Sequence, residues 1–140
     1  MAGLLSLTRE GQLATALCAR IDVRRRSVTV SSAGHLPPLL LSGNEARFLE
    51  VPVGVPIGVD PRAKYAVTTY PVEPGATLLA FTDGLVERRG EQLDDGLARL
   101  RDAAMGNGLA LGPLLGKLVA DLSVGGAKDD IAIVGLRWTS

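Results

Sequence analysis

The sequence AFTDGLVE, residues 80–87, decides how the rest of the chain is interpreted. An apolar run at residues 76–81 begins after the turn Glu73-Pro74-Gly75, so this run is predicted to be a buried strand. Asp83 therefore stands at the end of the strand, and Gly84 permits a sharp backbone turn and the close approach of a ligand. A carboxylate held in this way is suited to binding a hard cation.

A second acidic pair lies near the C-terminus, in the sequence GGAKDDIAIV at residues 125–134. Here a glycine turn comes first, Asp129 and Asp130 follow, and a strand begins after them. Two carboxylate sites at the ends of two strands are compatible with a shared divalent-metal centre. The alternative is that the acids are ordinary polar residues of a turn and of a strand start, which the pattern alone does not exclude.

The composition limits the classes of function. The chain has 140 residues, which is the size of one domain, and its 15 basic and 15 acidic residues balance to zero net charge. It therefore lacks the basic surface typical of proteins that bind nucleic acid or anionic membranes. No apolar stretch approaches the ~20 residues needed to span a bilayer, and no signal-peptide pattern is present. We expect a cytoplasmic protein without nucleic acid or membrane partners. The sequence has one cysteine, Cys18, and we expect it to be buried as a small hydrophobic residue.

The pattern of apolar residues predicts an α+β domain with a largely antiparallel sheet and helices on one face. Residues 1–12 are interpreted as an N-terminal arm. An amphipathic helix is predicted from Asp94 to Met105, with Asp94 or Asp95 as its N-cap and Gly106 as its stop, and a second helix begins around Pro113. Strands are predicted at residues 13–23 and 27–32, which form a hairpin, and at residues 39–41, 46–51, 64–72, 76–81 and 131–138.

Several segments, in this order, resemble the signatures of one enzyme family. They are TAL at residues 15–17, AGHLPPLLL at 33–41, PIGV at 56–59, FTDGLVE at 81–87 and KDDIA at 128–132. Together they are similar to the PPM-type metal-dependent protein serine/threonine phosphatases, in the branch of the stage II sporulation protein E and the RsbU-like phosphatases. The resemblance covers residues 13–137.

The resemblance implies a fold, an activity and a site. The fold is a PPM-phosphatase-like sandwich of antiparallel β-sheets with flanking helices, and the site holds two Mg²⁺ or Mn²⁺ ions. The activity is hydrolysis of phosphoserine or phosphothreonine by a metal-activated water. By position, Asp83 and Asp129 match metal-binding and catalytic aspartates of the family. Asp130 and Gly84 are included in the predicted metal site, with Asp130 the less favoured aspartate of its pair.

His35, the only histidine, has two interpretations. In the sequence Gly-His-Leu-Pro-Pro it is a candidate accessory residue, a general acid for the leaving alkoxide. The resemblance favours a second interpretation, in which His35 is mainly a turn residue.

The chain also departs from the family pattern. The family places further metal-binding aspartates upstream, in a G-D-x-x-D-type segment, and residues 1–12 contain only Glu10 as an acid. Residues 13–140 therefore resemble the C-terminal portion of a phosphatase domain, incomplete at its N-terminal side.

Two functional hypotheses follow. The first is a phosphatase acting on a phosphoprotein, such as an anti-sigma-factor antagonist in a partner-switching pathway. The alternative is a catalytically incomplete module that binds a partner or dimerises. A homodimer is expected under either hypothesis, since an incomplete domain leaves sheet edges unpaired.

Overall fold

The computed structural model describes residues 13–123 and 130–139. These residues form two compact units. The first contains the described residues up to Pro37 together with Glu50–Val72, and the second contains Pro38–Leu49 together with the residues from Glu73 onward. The predicted N-terminal arm at residues 1–12 lies outside the described residues, and so does the glycine turn with Asp129.

The described residues contain eight strands, one 3₁₀ helix and two α-helices. In chain order they are β1 (Ala16–Asp22), β2 (Ser27–Ala33), β3 (Leu39–Ser42), β4 (Glu45–Phe48), β5 (Val53–Gly54), β6 (Thr68–Pro71), β7 (Thr77–Phe81), the 3₁₀ helix (Asp83–Leu85), α1 (Leu93–Ala104), α2 (Leu111–Leu122) and β8 (Ile133–Arg137). Every predicted strand is present, most of them shorter than predicted. Two elements, β5 and the 3₁₀ helix, were not predicted.

In the first unit, β2 is the central strand. It pairs antiparallel with β1 on one side and with β6 on the other, and its last residues pair parallel with β5. Val28 and Val30 on β2 are fully buried, because alternate side chains of this strand face the core of the unit. The predicted hairpin of β1 and β2 is confirmed, and Arg26 in its turn has a positive φ of 50°.

The prediction for Cys18 is wrong. Cys18 lies on β1 as expected, but its side chain is exposed. Within the described part of the chain β1 pairs only with β2, so it is an edge strand. An apolar run in a sequence indicates a strand without showing whether the strand is central or at the edge, and this difference decides the burial of Cys18.

In the second unit, four antiparallel strands follow the order β4-β3-β7-β8. Leu39, Leu79 and Phe81 project from one face of this sheet and are buried. Gly135 on β8 shares that face with Leu79 and lies against the side chains of α2, so the helices cover this face as predicted.

The spacing of apolar residues predicts one stripe of Leu93, Leu97, Leu100 and Ala104 on α1 and another of Leu114, Leu115, Leu118, Val119 and Leu122 on α2. Each stripe is buried in part, and Leu93 is exposed. Leu100 and Ala104 are buried on α1, and Leu114, Leu118 and Leu122, spaced by four residues, are buried on α2.

The predicted N-cap of α1 is wrong, whereas its predicted stop is confirmed. The N-cap is Gln92, which makes no side-chain capping bond, while Asp94 and Asp95 lie in the first turn. There the two carboxylates interact favourably with the positive N-terminal end of the helix dipole. Gly106 adopts a positive φ of 70° directly after the last helical turn, as a helix-stopping glycine does.

Candidate metal centre

The turn after β7 holds Asp83 by its backbone and leaves its side chain in solvent. The Asp83 carbonyl accepts hydrogen bonds from the amides of Val86, at 3.0 Å, and Glu87, at 2.8 Å. Leu85 and Val86 are only 2% and 1% exposed, so they anchor the turn in the core. The Asp83 carboxylate is exposed, and it makes no hydrogen bond or ion pair to any described residue. A fixed backbone with a free carboxylate is the arrangement that a metal ligand needs.

Thr82 ties the end of β7 to the residues that precede β8. Its backbone amide donates to the Ala132 carbonyl at 3.0 Å, and its hydroxyl accepts a hydrogen bond from the Ala132 amide at 2.9 Å. The same hydroxyl lies 3.3 Å from the Asp130 carbonyl, to which it can donate. The backbones next to Asp83 and at Asp130 are thus joined through a single side chain.

Asp130 is exposed and lies in the segment that leads into β8. The structure therefore places Asp83 and Asp130 at adjoining ends of the paired strands β7 and β8, which is compatible with a shared site. Asp129, the other predicted ligand of the pair, lies outside the described residues. Its role stays a prediction.

Gly84 is buried within the 3₁₀ helix. It does not have a positive φ, whereas Gly75 before it and Gly90 after it do. The chain thus turns here by a 3₁₀ helix in an ordinary backbone conformation, and the turn does not use the freedom that only glycine has. Its predicted part in the metal site stays a prediction.

His35 belongs to the first unit, and its hydrogen bonds are local. The Ser32 hydroxyl donates to the His35 carbonyl at 2.9 Å and lies 3.1 Å from the His35 amide, which donates to it. The ring Nδ1 lies 2.8 Å from the Leu36 carbonyl, so a proton on this nitrogen completes a third bond within the turn. These contacts favour the interpretation of His35 as a turn residue.

The carboxylates at the strand ends are the right type of ligand for a hard divalent cation, but there are too few of them. Carboxylate oxygens are the ligands that Mg²⁺ and Mn²⁺ prefer. Among the described residues, however, no three histidine, cysteine, aspartate or glutamate side chains gather into one cluster. Asp83 and Asp130 alone do not supply the six oxygens of a Mg²⁺ site.

Sequence reasoning missed the contribution of Thr82. The threonine stands in the FTDG segment, whose pattern points to a role only for the aspartate and the glycine. A hydroxyl directly after the last residue of a strand was the available signal, since such side chains commonly bond to nearby backbone groups.

Comparisons with known proteins agree with this architecture. The family model for stage II sporulation protein E matches residues 2–139. The crystal structure of the RsbU and RsbW domains of Rv1364c from Mycobacterium tuberculosis aligns with a TM-score of 0.77 at 26% identity, over 89% of this chain and 37% of that one. The SiaA-PP2C domain of Pseudomonas aeruginosa aligns with a TM-score of 0.77 at 23% identity, over 98% of this chain and 56% of that one.

A manganese-presoaked structure of the phosphatase domain of SpoIIE from Bacillus subtilis also aligns, with a TM-score of 0.67 at 18% identity. The alignment covers 98% of this chain and 62% of the Bacillus subtilis structure. This chain therefore spans between 37% and 62% of the length of the three structures. The likeness confirms the predicted fold class, antiparallel sheets with flanking helices of the PP2C type. Neither of the two α-helices described here is long and apolar enough to cross a membrane.

Proposed function

Since the chain belongs to the stage II sporulation protein E family, we propose that it forms the C-terminal part of a metal-dependent protein serine/threonine phosphatase domain. The observation that carries this proposal is the pair of hydrogen bonds between Thr82 and Ala132. Through them, the exposed carboxylates of Asp83 and Asp130 stand at adjoining strand ends in a PP2C-type fold. This is the position in which two strand ends can offer oxygen ligands to one centre.

The proposed ligands are Asp83, Asp129 and Asp130, with Gly84 beside them and with Asp83 and Asp129 in direct catalytic roles. Bound Mn²⁺ or Mg²⁺, two ions in a complete domain, would act as a Lewis acid that polarises phosphate and lowers the pKa of a metal-bound water. The manganese-presoaked Bacillus subtilis domain supports this choice of metal. In this chain, the amides of Val86 and Glu87 donate hydrogen bonds to the Asp83 carbonyl. These bonds fix the turn from which the Asp83 carboxylate projects.

The proposed substrate is a phosphoserine or phosphothreonine on a partner protein, an anti-sigma-factor antagonist of a partner-switching pathway in the cytoplasm. One similar structure contains an RsbU domain and an RsbW domain in a single protein, which supports a regulatory pathway of this kind. A comparison of a phosphoserine peptide with a phosphotyrosine peptide tests the substrate class, since only the former is expected to be hydrolysed.

A second candidate function, that of a catalytically incomplete module that binds a partner or dimerises, is favoured by a different observation. Within the described residues β8 pairs only with β7, and Val134 and Leu136 on β8 are 67% and 41% exposed. An open strand edge with exposed apolar side chains is a surface on which a second chain can pair. A homodimer through this edge is the simplest form of such an assembly.

Hydrolysis of p-nitrophenyl phosphate with and without Mn²⁺ separates the two candidates. The variants are Asp83→Asn and, as a matched control, Asp102→Asn, whose exposed carboxylate lies on α1 and pairs only with Arg101 in the described structure. The phosphatase proposal expects Mn²⁺-dependent turnover in the wild type and the control and its loss in Asp83→Asn. Absence of Mn²⁺-dependent turnover in the wild-type chain would mean that this part of the domain is catalytically incomplete, which is the premise of the second candidate.

A further inference from the structure

Gly96 lies in α1 at a point where no side chain fits. The residue is buried, and a Cβ built on it would stand 1.9 Å from the carbonyl oxygen of Val86 and 2.8 Å from the Val86 carbonyl carbon. Real Cβ atoms essentially never approach a neighbour so closely. Glycine inside a helix lowers helix stability, so its presence here needs a local reason, and the contact with the Val86 backbone supplies one.

The Val86 backbone that Gly96 touches belongs to the turn that carries Asp83. The Val86 amide donates to the Asp83 carbonyl at 3.0 Å, and the next amide, that of Glu87, donates to the same oxygen at 2.8 Å. The Val86 side chain is 1% exposed, so the core prevents this residue from moving inward. Val86 is therefore held by Asp83, by the core and by the surface of α1 at Gly96.

We infer that Gly96 is a positioning residue for Asp83. By allowing α1 to lie directly on the Val86 carbonyl, it sets the position of the 3₁₀ helix and, through it, the direction of the Asp83 carboxylate. Any side chain at position 96 pushes the Val86 peptide away from α1 and strains the two hydrogen bonds to Asp83. This inference rests on the proposed function, because it gives Gly96 a role toward the ligand that the proposal assigns to Asp83.

The glycines of α2 provide the contrast. Gly112 and Gly116 are also helical, but a Cβ built on either meets nothing within 4 Å. Neither position requires glycine, and alanine there raises helix propensity without a clash. Gly116→Ala is therefore a matched control, since it makes the same chemical change in a helix of the same unit without touching the turn of Asp83.

Amide hydrogen exchange of the whole chain, measured by NMR, tests the inference. In Gly96→Ala the amides of Val86 and Glu87 are expected to exchange about tenfold faster or more, because their bonds to Asp83 open locally. The Mn²⁺ dissociation constant is expected to rise in the same variant. In Gly116→Ala both quantities are expected to match the wild type. Unchanged exchange at both amides in Gly96→Ala, or faster exchange with an unchanged Mn²⁺ dissociation constant, overturns the inference.

A second measurement needs no variant and applies if Gly96→Ala does not fold. In the wild-type chain, exchange under increasing denaturant reports which amides open together. The amides of Val86 and Glu87 are expected to open together with those of α1. If α1 opens first while these two amides stay protected, α1 does not hold the turn and the inference is wrong.

The inference and the proposed function can fail separately. Should Asp83→Asn bind Mn²⁺ as the wild type does, the ligand role of Asp83 fails, whatever Gly96→Ala does. Should Asp83→Asn lose Mn²⁺ while Gly96→Ala keeps both its Mn²⁺ affinity and its amide protection, only the role of Gly96 fails.

Discussion

The Thr82 hydroxyl accepts a hydrogen bond from the Ala132 amide at 2.9 Å, between residues that are 50 positions apart in the chain. The Thr82 amide donates a hydrogen bond of 3.0 Å to the Ala132 carbonyl. The last register pair of β7 and β8 is Phe81 with Ile133, so these two bonds extend the contact of the strands beyond the sheet. They hold together the two segments that carry Asp83 and Asp130.

The Thr82→Val substitution tests this tie. Valine has nearly the same shape, but it leaves the Ala132 amide without its acceptor. We expect a loss of about 0.5–1.5 kcal/mol in the free energy of unfolding, measured by urea denaturation, because the substitution removes the hydroxyl that accepts from the Ala132 amide and can donate to the Asp130 carbonyl. We also expect weaker Mn²⁺ binding, since the two strand ends are no longer tied.

The matched control for this substitution is Thr29→Val. Among the described residues, the Thr29 hydroxyl bonds only to the exposed Thr69 hydroxyl, at 2.8 Å, and water can replace that partner. We expect a change of less than about 0.5 kcal/mol and unaltered Mn²⁺ binding. Equal effects of the two substitutions on Mn²⁺ binding would show that Thr82 has no special part in the site.

Leu118 tests the packing of the second unit. It is fully buried on α2, and truncation to alanine leaves a cavity among the neighbouring apolar side chains. We expect Leu118→Ala to lower the free energy of unfolding by about 2–5 kcal/mol. Leu93, at the start of α1, is 38% exposed, and Leu93→Ala is expected to cost less than about 1 kcal/mol. Similar losses for both leucines in urea denaturation would contradict the assigned core.

Self-association through β8 is tested by Val134→Lys. If two chains pair along this edge, a charged residue in place of the exposed Val134 is expected to shift sedimentation from dimer to monomer. Val23→Lys is the control, because Val23 is 75% exposed in the turn between β1 and β2 and is not part of β8. A wild-type chain that sediments as a monomer at high concentration rules out the proposed dimer.

Much of the fold follows from local patterns in the sequence. The apolar run before Asp83 predicts β7, and the four-residue spacing of Leu114, Leu118 and Leu122 predicts the buried face of α2. Other features depend on tertiary context that a local pattern does not contain. The two-residue strand β5 forms only by pairing with β2, and the exposure of Cys18 depends on the edge position of β1.

In the candidate site, too, some features follow from local sequence patterns and others depend on tertiary context. Acids placed after one strand and before another predict that Asp83 and Asp130 stand at strand ends, and the pairing of β7 with β8 makes those ends adjoin. The roles of Thr82 and Gly96 were not predictable in this way. Each depends on a contact with a residue outside its own element, Ala132 for the hydroxyl and the Val86 carbonyl for the glycine.

The most direct test of the account is a Mn²⁺ titration of the purified chain, followed by the electron paramagnetic resonance signal of the free ion. Removal of residues that only support a metal ligand typically weakens binding by about 10- to 100-fold, so loss of the ligand itself should cost at least as much. We predict Mn²⁺ binding by the wild type and by Asp102→Asn, and binding weaker by at least about tenfold in Asp83→Asn. Equal Mn²⁺ affinity of Asp83→Asn and the wild type, or no binding by the wild type, would contradict the assignment of Asp83 as a metal ligand in this chain.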